Sequence, residues 1–64
     1  MPKVGDRIRI TKMLREPKYD GKEGVIEVID SLGQLHGTWG GLAVIPEKDQ
    51  YVILGNKDDG DDHE

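Results

Sequence analysis

Residues 6–13 read DRIRITKM, and in this stretch Ile8 and Ile10 alternate with Arg7 and Arg9. Successive side chains of a β-strand point to opposite faces, so a period of two is typical of a strand with one buried face. The stretch therefore predicts a first strand whose isoleucines face a core and whose arginines face solvent.

Further runs of apolar and β-branched residues follow at residues 23–30, 34–39, 42–45 and 50–54. Gly and Pro separate these runs, and no segment has the apolar period of an amphipathic helix. A long polar loop follows the first run, the Gly-Gly pair at residues 40–41 favours a hairpin, and Pro46 begins a short turn at residues 46–49. The pattern predicts an all-β fold, a small five-stranded SH3-like barrel with a long first loop.

The predicted core gathers inward-facing aliphatic side chains, among them Ile8, Ile10, Val28 and Leu35. The second run breaks the alternation, because apolar residues occupy both of its faces. A strand that bends at Gly24 and serves two sheets explains this pattern. A dimer face on the second run is the competing interpretation.

The chain has 64 residues and no Cys, so we expect one small domain without disulfides. Five of its thirteen acids lie in the last seven residues, which leaves eight acids against nine basic residues before them. We predict a barrel at residues 1–55 and a disordered acidic tail at residues 56–64. No apolar run approaches the roughly 20 residues that span a bilayer. A Cys-free chain without a signal-peptide core is expected in the cytoplasm.

Five segments, in order, carry a family resemblance: GDRIRI at 5–10, GKEGVI at 21–26, IDSLGQLH at 29–36, Trp39, and IPEKDQYVIL at 45–54. Their order and spacing resemble a family of small SH3-like barrel proteins, a domain of unknown function found in bacteria, phages and conjugative elements of Gram-positive bacteria. The resemblance covers about residues 3–54 of the chain. It implies the barrel fold and a mobile-element context, and it implies no mechanism.

Three aromatic residues are candidate ligand contacts: Tyr19, Trp39 and Tyr51. In SH3-like modules such rings line a peptide groove or stack on nucleobases. Trp39 shares a strand face with Leu35, so we expect its ring to fill the core of a chain that has no Phe. Tyr19 lies on the long loop, where ligand contact and loop packing are both open.

The first strand and the long loop carry a basic group: Arg7, Arg9, Lys12 and Arg15. One interpretation is a stripe that contacts phosphates, as in nucleic-acid-binding barrels. The other is a solvated outer face, whose charges also deter aggregation through a strand edge.

Residue types that support catalysis are sparse. Ser31 is the only Ser, there is no Cys nucleophile, and no phosphate-binding glycine motif occurs. His36 has no second ligand nearby in sequence, so we expect a cross-strand role and no metal site. We predict a protein that is not an enzyme and that needs no cofactor.

Together these patterns predict a non-enzymatic SH3-like binding or adaptor module of mobile-element type. It would bind a protein partner through the loop at residues 14–21 and the turn at residues 46–49. One alternative is a nucleic-acid-binding barrel that uses the basic group. Another is a phage-type inhibitor of a host system, suggested by the resemblance and the acidic tail. We expect a monomer or a weak homodimer, and the partner's identity stays open.

Overall fold

The fold consists of short strands joined by turns, and the computed structural model describes residues 1–56. The strands are β1 (Asp6–Lys12), β2 (Glu23–Ile29), β3 (Leu35–Gly37) and β4 (Gln50–Asn56). One turn of 3₁₀ helix at Pro17–Tyr19 is the only helical element in this part of the chain. The expectation of an all-β domain is confirmed. The predicted tail covers residues 56–64: Asn56 is buried in β4, and the residues from 57 onward lie outside the described residues.

The strands form one antiparallel sheet in the order β3-β2-β1-β4. The central strand β1 places Ile8 opposite Gly24 of β2 and opposite Ile53 of β4. On each side, β1 pairs with residues that are distant from it in the sequence. Through its pairing with β4, it connects the first strand of the chain to the last. The sheet is open among the described residues, and a closed five-stranded barrel is not confirmed.

The predicted fourth strand at residues 42–45 is reduced to one bridge, between Val44 and Leu35. Several of its other backbone groups bond to side chains instead. The indole Nε1 of Trp39 donates to the Leu42 carbonyl at 2.8 Å, and the Ile45 amide donates to Asp49 at 2.9 Å. Because these groups are taken, only Val44 is left to pair with β3.

The strand β2 serves two partners. Its residues 23–25 pair with β1 and its residues 26–29 pair with β3, with a register shift between Ile26 and Val28. β2 is therefore an interior strand of one sheet, and its irregularity lies after Ile26; the predicted bend at Gly24 between two sheets stays a prediction. The expectation that Val28 faces the core is wrong, since this residue is 53% exposed while Ile26 is buried. The register shift interrupts the alternation that would have put both side chains on one face.

One cluster of buried side chains forms the core, namely Ile8, Ile10, Met13, Ile26, Leu35, Trp39 and Val44. The core position expected for Trp39 is confirmed, because this residue is only 4% exposed. Gly37 makes room for the indole ring. A Cβ atom at position 37 would overlap both the Val25 carbonyl oxygen and the far edge of the Trp39 ring.

A buried carboxylate joins the start of β1 to the end of β4. Asp6 is 3% exposed, and it accepts hydrogen bonds from Asn56 Nδ2 at 2.8 Å and from the Lys3 amide at 2.9 Å. The hydrogen bond from Asn56 is the main reason that the pKa of Asp6 lies below its ordinary value, and burial opposes this effect. The folded state therefore favours the ionised form of Asp6.

The turn between β2 and β3 is organised by Asp30. Its Oδ1 accepts from the amides of Leu32 and Gln34, and its Oδ2 lies 2.8 Å from His36 Nε2. The contact with His36 is the largest reason that the pKa of Asp30 is lowered. The cross-strand role expected for His36 is confirmed.

The substitution Gly37→Ala should destabilise the domain by roughly 1–3 kcal/mol, because the added methyl overpacks the core against backbone. Gly41→Ala is the matched control, since a Cβ atom there meets nothing within 4 Å. Urea denaturation followed by Trp39 fluorescence measures both. Equal stability of the two variants would contradict this account of the core.

The substitution Asp6→Asn should lower the free energy of unfolding by about 1–3 kcal/mol at neutral pH, because charge-assisted hydrogen bonds are lost. The folded-state pKa of Asp6 lies below the ordinary 3.8. Its contribution is therefore complete above that value and disappears as the pH falls through the lower folded pKa. Urea midpoints of both proteins should differ at pH 7 and converge in strong acid. A difference that is the same at every pH would be inconsistent with an ionised Asp6.

Candidate binding surface

A single carboxylate, that of Asp49, joins the long loop to the turn that precedes β4. Asp49 is 4% exposed, and its Oδ2 accepts from the Ile45 amide at 2.9 Å. Its Oδ1 accepts from the Leu14 amide at 3.3 Å, and its Oδ2 also lies 3.3 Å from Nη2 of Arg15. Asp49 therefore brings together the loop at residues 14–21 and the turn at residues 46–49, the two segments predicted to bind a partner.

Arg15 reinforces this junction from the loop side. Its Nη2 also donates to the Ala43 carbonyl at 2.6 Å, and its side chain stays 39% exposed. One guanidinium thus bridges the loop, the segment after Trp39 and the buried carboxylate of Asp49. A planar guanidinium with several donors suits this arrangement better than an ammonium group.

The long loop is fixed by its own hydrogen bonds as well. Asp20 Oδ1 accepts from the Met13 amide at 2.8 Å, and the Gly21 amide donates to the Ile10 carbonyl at 2.7 Å. Between these ties, Leu14 remains 59% exposed. Leu14 is therefore an exposed apolar side chain on a backbone that hydrogen bonds hold in place.

Two of the three candidate aromatic rings meet at the hairpin after β3. The Tyr19 hydroxyl accepts from the Gly41 amide at 3.1 Å, and its ring packs against Gly40 and the core. Trp39 lies beneath, bonded to the Leu42 carbonyl. Tyr19 is half-buried, so the loop packing left open for it is present and one side of its ring stays accessible.

The third ring, Tyr51, is half-buried on β4 opposite Ile10. It lines an open depression of about 550 Å³ beside the Asp49 turn. The walls of this depression are formed by Met1, Pro2, Pro46, Asp49, Gln50, Tyr51, Val52 and Ile53. Asp49 lines this depression, and its carboxylate also accepts from the Leu14 amide, so Leu14 and the turn that borders the depression are held by one residue. Leu14, the turn at residues 46–49 and Tyr51 are therefore considered together. We call this region the loop–turn surface.

The candidate basic group is largely occupied by ion pairs. Arg9 Nε lies 2.9 Å from Glu23, Arg7 lies 4.0 Å from the same carboxylate, and Arg15 is held by Asp49. Lys12 alone of the four has no ion pair or side-chain hydrogen bond within residues 1–56. Arg7 and Arg9 share one acid, so this part of the outer face has at most a small positive excess.

Leu14 and Asp49 lie in the loop and the turn that were predicted to bind a partner, but the sequence analysis singled out neither as a site residue. Asp49 was visible only as the end of a turn, because its partners Leu14 and Arg15 are more than thirty residues away. Leu14 did carry a signal, since it is the one aliphatic side chain at the start of an otherwise polar loop.

Comparison with known proteins finds no matching family model, no similar curated protein and no similar solved structure. Within residues 1–56, no helix is long and apolar enough to cross a membrane. The same stretch holds no group of three or more His, Asp or Glu side chains placed to bind a metal ion. The geometry of the loop–turn surface is therefore the basis for a functional proposal.

The substitution Asp49→Asn should destabilise the fold by about 1–3 kcal/mol, because the Ile45 amide and the Arg15 guanidinium lose a buried, charged acceptor. Glu47→Gln removes one negative charge from the same turn at an exposed position and serves as the control. Urea denaturation at neutral pH compares both with the wild type. A loss no larger for Asp49→Asn than for Glu47→Gln would show that the junction contributes little.

Proposed function

We propose that this protein is a small binding module that recognises a protein partner through the loop–turn surface. The observation that carries the proposal is the Asp49 junction, which holds the exposed Leu14 beside a depression lined by Tyr51. A fixed apolar anchor, a partly exposed aromatic ring and a charged rim are the components of recognition sites on folded proteins.

The mixed character of this surface favours a protein over a small ligand. Leu14, Pro46 and Ile53 supply apolar area, and the exposed Arg15 and Lys48 supply charge at the rim. The depression is open, so it would take one or two side chains of a larger partner. Small-molecule sites usually bury most of their ligand.

We infer in addition that the domain belongs to the SH3-like class. The order β3-β2-β1-β4, the long loop after β1 and the turn before the last strand support this inference. The Val44–Leu35 bridge occupies the place of a further strand beside β3. The mobile-element context rests on the family resemblance of the sequence motifs alone.

Nucleic-acid binding receives less support from the geometry. Each phosphate contact needs a cation that is free to exchange counterions, and Arg9 and Arg15 are already paired with carboxylates. Arg7 and Lys12 remain as the more available cations. An inhibitor role in a host system would place its activity partly on the tail, which lies outside the described residues.

The test is affinity capture from a bacterial lysate with the full chain as bait, quantified by mass spectrometry. Leu14→Asp and Tyr51→Ala should each reduce recovery of the same partner by tenfold or more, since about 1.4 kcal/mol of lost contact gives that factor. Val4→Asp is the control, because Val4 is 57% exposed and Leu14 is 59% exposed. Circular dichroism confirms that each bait is folded.

Two outcomes would contradict the proposal. In the first, the folded Leu14→Asp and Tyr51→Ala baits capture the same proteins as the wild type. In the second, the wild type captures no protein but shifts duplex or single-stranded nucleic acid in a low-salt mobility assay. A salt slope that falls when Arg7 or Lys12 is removed would then identify the phosphate contacts.

A further inference from the structure

In β4, the stretch from Tyr51 to Ile53 has an outer edge that no strand among residues 1–56 pairs with. This strand is the last in the order β3-β2-β1-β4, and within residues 1–56 its backbone has hydrogen-bond partners only in β1. The opposite edge of the sheet is protected, because β3 is three residues long and Leu35 exchanges two hydrogen bonds with Val44. Among the described residues, β4 is therefore the one long edge open to another strand.

Between the two register shifts of its ladder with β1, this edge lacks the charged residues and the Pro that often prevent pairing. Natural edge strands carry charged residues or Pro, or are very short. The strand reads QYVILGN and contains neither charge nor Pro. Three consecutive aliphatic residues are exposed here, with 43% of Val52, 45% of Ile53 and 41% of Leu54 accessible.

The direction of the free backbone groups follows from the neighbouring ladder. The Ile10 amide donates to Lys22 and its carbonyl accepts from Gly21, so Ile10 points its backbone groups away from β4. Groups alternate along a strand, so Arg9 points toward β4 and bonds with its opposite residue Val52. Val52 therefore faces β1, and Tyr51 and Ile53 present their N–H and C=O groups at the free edge.

We propose that a second copy of this chain pairs with that edge, antiparallel, about a two-fold axis at Val52. In this register Tyr51 of each copy lies opposite Ile53 of the other, and both residues use their outward groups. The length of regular strand that can pair is limited by two register shifts in the ladder between β1 and β4, one near Lys12 and one near Leu54. An axis at Val52 gives hydrogen-bond partners to the outward N–H and C=O groups of Tyr51 and Ile53, which lie between these two irregular positions.

Side chains and charge agree with this register. Tyr51 opposite Ile53 is an aromatic–aliphatic cross-strand pair of the kind that stabilises antiparallel ladders. Val52 would face Val52 in a non-hydrogen-bonded pair, where side chains approach most closely. Because the strand carries no charge, two copies meet without repulsion. A small domain with an open sheet also gains apolar burial that it cannot supply alone.

The short length of the paired segment limits the strength of the association. Pairing over about four residues is roughly 14 Å long. Two strands paired over this length bury less surface than the roughly 800 Å² per partner of a standard stable interface. The dimer is therefore weak and forms only at high protein concentration. Tyr51, Val52 and Ile53 also line the depression of the loop–turn surface, so a second copy and a protein partner would compete for these residues.

Sedimentation equilibrium of the full chain tests the proposal from about 10 µM to about 1 mM, the range that covers weak association. The weight-average mass of the wild type should rise toward that of a dimer. Val52→Lys and Val52→Glu should each remain monomeric because like charges face each other on the axis, and their equimolar mixture should associate again. Val28→Lys is the control, since Val28 is 53% exposed on a strand with two neighbours.

A second measurement does not depend on a charge being tolerated. The chain has no Cys, so Val52→Cys carries a single thiol. Cα atoms in a non-hydrogen-bonded pair are about 4.5 Å apart, which a disulfide can span. Mild oxidation should crosslink Val52→Cys into dimers much faster than Val28→Cys. A wild type that stays monomeric at about 1 mM, or equal crosslinking of the two Cys variants, would overturn the proposal.

Discussion

The carboxylate of Asp49 is the interaction on which the surface of this small domain depends. It is almost completely buried, and it accepts hydrogen bonds from the turn, the long loop and the Arg15 guanidinium. A buried carboxylate without partners would be strongly unfavourable, so these donors must stay in place while the protein is folded. The loop and the turn therefore behave as one unit, although their residues are far apart in the sequence.

The same carboxylate also influences the sheet. By taking the Ile45 amide it removes one of the groups that a strand at residues 42–45 would need, and Arg15 takes the Ala43 carbonyl nearby. The sheet then ends at one bridge beside β3 and stays open. The loop–turn surface results from this arrangement, and Tyr51, Val52 and Ile53 of β4 border its depression.

Much of the fold was predictable because it rests on local patterns. The alternation of Ile8 and Ile10 placed β1, and the face shared by Leu35 and Trp39 placed the indole ring in the core. Errors arose where side chains bond to backbone groups that a strand would otherwise use, and where the register of a strand shifts. For the first reason, the strand predicted at residues 42–45 is only one bridge. For the second, Val28 was wrongly predicted to face the core, because the sequence around it does not reveal the register shift.

The candidate site was predictable only in outline. The loop and the turn were nominated from their Gly and Pro content, whereas the contact between them depends on the buried Asp49. The basic group was identified correctly as charged residues, but its pairing with Glu23 and Asp49 follows from strand register and loop packing. Composition gives the number of charges and not their neighbours.

The central claim is that Asp49 holds the loop and the turn together, and amide hydrogen exchange measured by NMR tests it most directly. The account predicts protected Leu14 and Ile45 amides in the wild type. In Asp49→Asn, both amides should exchange faster by tenfold or more, which corresponds to about 1.4 kcal/mol. The Ile10 amide in β1 should keep more of its protection. Leu14 and Ile45 amides that exchange in the wild type as fast as exposed loop amides would contradict the account.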